Sequence, residues 1–290
     1  MTERFATHNE QSGNPLSFLL YVNDIGNSLP DIPIKLYADD TNLFVYGKTT
    51  ENLINNARIY ISKLNDWFIA NKLSLSIDKT CYNIFGVPDT EKSTLKLCID
   101  NIELKQVESS KYLGIIIDSH LNWSEHIDYI YEKLIKFTGI FYKLRNRLLS
   151  QLNKMIYFAF VHSQLSYGIE IYGNTYPTYL NKLNILNNKI LHILQNARRD
   201  TITTYLYNKL NTLTLPNLYK FNILLFIHKF FHHSDQLPHV FSSYLCKTRS
   251  FTLIILVLKM NRIFHLLVVI LVNDQLNTKE HIYGVLYLKS

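Results

Sequence analysis

The sequence predicts an α+β fold, with short strands and packing helices over residues 15–120 and an all-helical region over 121–245. Three features predict it. Apolar residues alternate with a period of two around Ile34–Tyr46 and again between Leu73 and Phe85, as strands require. They recur every three or four residues at Leu53, Ala57, Ile61, Leu64 and Phe68, as a helix requires. Beyond Asp118 only the helical period remains.

Residues 1–14 are polar, lack the apolar centre of a secretory signal and are expected to be an irregular or degenerate start. In PLSFLLYVNDI (15–25), Leu16, Leu19, Leu20 and Asn23 fall at helical spacing, and Gly26 and Pro30 end the helix. Ile34, Leu36 and Ala38 then share one strand face and Lys35, Tyr37 and Asp39 the other. A polar Asp40-Thr41-Asn42 break leads into Leu43–Tyr46, which makes a β-hairpin with acids at its tip. Thr49 or Thr50 caps the next helix. Short strands are expected at 95–99, 102–104 and 112–117. Asn122 and Glu125 read as a capping box, opening a helix whose stripe is Ile127, Ile130, Leu134, Phe137, Phe141 and Leu144. Further helices are expected over 150–170, 176–196 and 216–233.

With 290 residues, 47% of them apolar, the chain has material for two buried cores and is not a disordered polyelectrolyte. Its net charge of +7 favours a polyanionic partner, because each neutralised phosphate releases condensed counterions. Cys81, Cys98 and Cys246 are odd in number and far apart, which argues against a disulfide framework or thiolate zinc site and for an intracellular setting, nucleus or cytoplasm. His228 and His232 stand at i, i+4 beside His233, but no acid or cysteine nearby supplies a third zinc ligand. Arg198 and Arg199 follow a helix end, where cations suit the dipole, and receive no further role. Residues 246–290 read as an aberrant apolar tail. Its two runs within 251–272 are split by Lys259 and Arg262, so a membrane anchor is not expected.

The chemistry-bearing feature is Tyr37-Ala38-Asp39-Asp40. Nucleotidyl transfer uses two divalent cations about 4 Å apart, held by carboxylates, and adjacent aspartates at a tight turn suit that task. An isolated Asp-Asp pair is more often only solvated turn chemistry.

The neighbouring segments change that balance. PLSFLLYVNDI, IKLYADDTNLFVYG, WFIANKLSLSIDKTCYNIFG and KYLGIIIDSHLNWSEHI occur in this order between residues 15 and 127. Together they resemble successive motifs of the reverse transcriptases of jockey-like non-LTR retrotransposons, over roughly residues 13 to 245. The resemblance implies a partial polymerase palm, an antiparallel sheet with packing helices over 15–120, followed by a helical thumb and connection over 121–245. It implies RNA-directed DNA polymerisation with Mg2+, on an RNA template, a DNA primer and nucleoside triphosphates, with no stable protein partner.

Matched position by position, Asp39 and Asp40 are the metal-binding catalytic acids and Tyr37 lies beside the nucleic acid. Lys79 matches the lysine that protonates departing pyrophosphate, although a solvated loop lysine is an equal reading. Lys111, Tyr112, Leu113 and Gly114 match the primer grip, while Leu113, Ile115 and Ile117 also read as strand core. Lys133, Lys136, Lys143, Arg145 and Arg147 lie off the apolar stripe of the first thumb helix, as suits backbone phosphates or a merely solvated face.

Two departures bear on activity. The family's first catalytic aspartate lies on an upstream strand, and no acid before Asp24 follows an apolar strand here; NEQSGN also replaces a glycine-bearing motif before Pro15. The chain is therefore expected to be inactive alone, a truncated copy that retains at most nucleic-acid binding, with the hairpin's first strand left as an unpaired edge.

Overall fold

The structure is a computed structural model that describes residues 15–30, 32, 34–37, 40–73, 75–85, 96–147, 149–238, 241 and 282–289. Expectations for residues 1–14, for Ala38 and Asp39, and for the apolar runs of 251–272 lie outside the described residues. The described chain mixes helices with small sheets and divides into two compact units. One unit holds residues up to 110, residues 118–121 and the C-terminal strand; the other holds 111–117 and the helices from 122 onward.

The first unit begins with α1 (Pro15–Tyr21) and a 3-10 turn at Ile25–Ser28. Helix α1 is shorter than expected, and its apolar face is not a core face: Leu16 and Leu20 are 59% and 69% exposed, while Val22, Ile25 and Leu29 just after it are buried. Strands β1 (Ile34–Tyr37) and β2 (Asp40–Gly47) form the anticipated hairpin, with Ile34 opposite Leu43 and Tyr37 opposite Asp40. Only Ala38 and Asp39 separate the two strands.

The expected polar break at Asp40-Thr41-Asn42 is instead strand, with Thr41 and Asn42 4% and 2% exposed. These polar residues tolerate burial because β2 is paired on both sides, which satisfies the main chain, and because the Asn42 side-chain amide donates to the Lys35 carbonyl.

Helix α2 (Thr50–Ala70) is capped by Thr49, whose hydroxyl accepts from the Asn52 N–H at 3.1 Å. It buries the expected stripe, together with Ile54, against Leu43, Val45 and Tyr82. Gly47 permits the strand-to-helix approach, since a Cβ there would lie 2.5 Å from the Leu53 nitrogen.

A second 3-10 turn, Ile77–Lys79, leads into β3 (Cys81–Phe85); β4 (Cys98–Ile99), β5 (Ile102–Glu103) and β6 (Lys105–Gln106) follow. Strands β7 (Ser109–Tyr112) and β8 (Ile115–Asp118) form a two-stranded sheet whose tip belongs to the helical unit. The main sheet has the order β1-β2-β9-β3-β6, where β9 is Ile282–Lys289. It departs from the all-antiparallel expectation in one place: β6 runs parallel to β3, because the chain returns through the β4–β5 hairpin before pairing. Among the described residues β1 is an outermost strand of this sheet, as expected for the hairpin's first strand, and Leu36 is exposed.

In the second unit, α3 (Ser124–Leu144) buries Ile127, Ile130, Leu134 and Phe141 as anticipated. The capping box does not form. The helix starts at Ser124 behind Trp123 in a left-handed conformation, and the Asn122 side chain accepts from the Ser124 N–H, so Glu125 is one position early for the reciprocal bond. The helix expected over 150–170 is interrupted: α4 (Ser150–Ile156) passes through a π turn at Tyr157–His162 into α5 (Ser163–Ser166), and α6 (Ile169–Tyr172) restarts after Gly168. Helices α7 (Pro177–Leu194) and α9 (Leu215–His232) match expectation, whereas α8 (Thr203–Leu210) is too short for its period to be read.

Leu64 is fully buried on α2, while Ile69 on the same helix is 62% exposed. Leu64→Ala is expected to cost about 2–5 kcal/mol in urea unfolding, and Ile69→Ala no more than about 0.5 kcal/mol.

Candidate functional site

At the acidic hairpin, Asp40 opens β2 and is half-buried, with Tyr37 opposite it and 62% exposed. Asp39 lies outside the described residues. On its other side Asp40 has Lys289 of β9 as its register partner. Lys79 is exposed at the end of its 3-10 turn, two residues before Cys81, which stands opposite Tyr287 of β9. Asp40 and the Lys79 turn therefore share one end of the sheet, with β9 between them and a span of about 10 Å set by two strand spacings. Among the described residues no three His, Cys, Asp or Glu side chains gather to hold a metal ion, His228, His232 and His233 included.

The segment 112–117, expected as one strand, is a tight hairpin. Leu113 and Gly114 both have positive φ, +45° and +85°, as a primed two-residue turn demands. Leucine is a costly occupant of the left-handed region, and a tertiary bond offsets the cost: the Tyr167 hydroxyl donates to the Leu113 carbonyl at 2.5 Å. A Cβ on Gly114 would lie 3.2 Å from the Tyr167 ring. Leu113 is thus an exposed turn residue and not strand core; Ile115 is buried and Ile117 half-buried.

Beside this turn two lysines from different elements converge on one tyrosine. Lys111 donates to the Tyr129 hydroxyl at 2.9 Å and lies 4.8 Å from the ring centroid. Lys133, one helical turn on, lies 4.3 Å from the same ring and donates to Gln164 at 3.4 Å. Bonds from Lys111 and then Lys133 hold the Tyr129 phenol below the ordinary tyrosine range. Among the described residues neither lysine is paired with a carboxylate, and Asp128, next to Tyr129, is engaged by Lys182.

His126 sits beneath this cluster, 2% exposed, stacked on Tyr129 and edge-on to Tyr172. Its Nδ1 accepts from the Ile116 N–H at 3.3 Å, which ties β8 to α3 and requires the neutral ring. Burial first, and the charges of Lys133 and Lys111 second, push its pKa down to about 4.

The other cations predicted along α3 divide. Lys136 and Lys143 are exposed on the helix. Arg145 and Arg147 lie in the turn beyond Leu144, off the helix face on which they were expected, and the Arg145 guanidinium stacks on Tyr142 at 3.9 Å. Sequence reasoning missed His126, Tyr129, Gln164 and Tyr167. The i, i+4 spacing of Tyr129 and Lys133 was a readable signal, but nothing local marks Tyr167.

The chain is similar to RNA-directed DNA polymerases of mobile elements. It is 25% identical over 194 residues, 63% of its length, to the RNA-directed DNA polymerase from mobile element jockey of Drosophila melanogaster. It is 26% identical over 174 residues, 58% of its length, to the jockey polymerase of Drosophila funebris. It is also 21% identical over 210 residues, 69% of its length, to the probable RNA-directed DNA polymerase from transposon X-element of Drosophila melanogaster. The chain spans 21%, 18% and 23% of these three relatives, about a fifth of their length. No family model and no solved structure matches it.

The unfolded chain protonates His126 near 6.5 and the folded chain only at about 4, so between those values the unfolded state binds more protons. Stability is present above pH 6.5 and is lost as pH falls toward 4, by about 3 kcal/mol at the lower end. Thermal melts across that range check it, with His126→Gln removing this part of the pH dependence.

Proposed function

We propose that the chain is the C-terminal part of a jockey-like reverse transcriptase palm followed by its helical thumb, and that alone it grips nucleic acid without extending a primer. The observation that carries this reading is the pair of lysines on Tyr129, neither paired with a carboxylate among the described residues, next to the turn matching the primer grip. The similarity to RNA-directed DNA polymerases supports the same reading. Lys111, Tyr112, Leu113 and Gly114 then position a primer end. Lys133, Lys136 and Lys143, with Arg145 and Arg147 beyond the helix, meet backbone phosphates of an RNA–DNA duplex.

Among the described residues no group of three ligands that could hold Mg2+ is assembled. Of the acidic pair only Asp40 is among the described residues, and a two-metal site needs further carboxylates beside it. By the motif resemblance Asp39, Asp40 and Lys79 match positions that would serve phosphoryl transfer; no catalytic step is assigned to them in this chain.

Purified protein is expected to give no primer extension in magnesium or manganese; template-dependent extension abolished by Asp39→Asn would overturn that half of the reading. An RNA–DNA hybrid is expected to bind with a steep salt dependence. The double variant Lys111→Ala, Lys133→Ala should weaken binding equally for all sequences and flatten the log–log salt slope by about two. An unchanged slope would remove these lysines from the interface.

A further inference from the structure

We propose that the C-terminal end of α3 carries a slot for one unpaired base of a nucleic-acid strand, with the ring of Tyr142 as its wall. Arg145, one turn on, lays its guanidinium against that ring, 3.9 Å from the centroid. Tyr142 is nevertheless 58% exposed, which leaves the face away from Arg145 open. A helical side chain leans toward the N-terminus, so that open face looks over the preceding turn, at Thr138 and Gly139. The space there is empty of side chains. A Cβ on Gly139 would meet no heavy atom within 4 Å beyond its own turn of helix backbone, and the Thr138 hydroxyl is folded back on the Ile135 carbonyl at 2.7 Å.

Glycine is a poor occupant of a helix interior, and packing does not demand one at this exposed position, where a larger side chain has room. A bare turn beside an exposed ring leaves space for a second flat group. Two properties of the slot identify that group. The cation behind Tyr142 draws ring electrons toward itself, which favours an electron-rich ring stacked on the open face. Lys136 and Lys143 flank Gly139 on the same helix face and are exposed, and among the described residues Lys143, Arg145 and Arg147 have no carboxylate partner. An aromatic face between cations is the chemistry that holds a base and its neighbouring phosphates irrespective of sequence. A duplex keeps its base faces inside the stack, so the occupant is an unpaired base in a single-stranded stretch beside the hybrid. The slot rests on the reading that the chain grips nucleic acid, and adds to backbone contact a recognition of single-stranded overhangs.

Fluorescence anisotropy with the full chain compares a blunt RNA–DNA hybrid with the same hybrid carrying a short purine overhang. The overhang is expected to tighten binding about tenfold, and 2-aminopurine placed in it to lose fluorescence on binding. Tyr142→Leu is expected to erase the gain without changing the salt slope, because no charge is lost, and Tyr142→Trp to keep it. Gly139→Met separates the slot from any structural role of this turn. It is expected to raise the melting temperature, since methionine suits a helix better than glycine, and still to erase the overhang gain by filling the slot. Equal affinity for the blunt and overhanging hybrids, or a gain that survives Tyr142→Leu or Gly139→Met, overturns the slot while leaving the grip on duplex standing. No salt-dependent binding to either hybrid overturns the reading of the chain as a nucleic-acid grip, and the slot with it.

Discussion

Main-chain pairing on both edges of β2 is the constraint from which the first unit follows. A hydrogen bond in a sheet contributes about 1 kcal/mol net, yet a buried group left without one costs about 1–3 kcal/mol, so a central strand is stable only when both neighbours are present. Because β2 has them, Thr41 and Asn42 can lie inside, Leu43 and Val45 can face the stripe of α2, and Asp40 is held at one end of the sheet beside the Lys79 turn. The neighbour on the β9 side comes from a part of the sequence that read as an aberrant tail.

The helical unit shows a different economy, in which electrostatics is left unbalanced on purpose of position and not of stability. Lys111 and Lys133 approach one aromatic ring, neither paired with a carboxylate among the described residues, an arrangement that repels itself and persists because Tyr129 and Gln164 accept from the two ammonium groups. Burial, aided by the same two charges, keeps His126 neutral, and its neutrality is what lets Nδ1 accept from Ile116 and join the hairpin to α3. Cation cluster, neutral histidine and turn geometry are one coupled construction.

Much of the architecture was legible. The stripes of α2 and α3 and the cap at Thr49 follow from local spacing, and the hairpin register follows from alternation around a two-residue connection. The failures share a cause. Leu16 and Leu20 sit at helical spacing yet are exposed, Leu113 reads as strand and turns, and Asn122 reads as the cap but Trp123 takes that position, each because tertiary context outweighs a local preference of a few tenths to one kcal/mol. The acids and most cations of the site were legible as residue types; their grouping around Tyr129 was not.

By itself the sequence determined which faces are apolar, where two aspartates adjoin, how basic the chain is and which polymerases it resembles, because side-chain order along the chain carries that information directly. Only the tertiary structure decided that a C-terminal strand lies between β2 and β3 and that lysines from a hairpin and a helix meet on one ring. Main-chain hydrogen bonding is nearly blind to side-chain identity, so distant partners are chosen by whichever arrangement leaves the fewest buried groups unpaired, and that choice has no local signature.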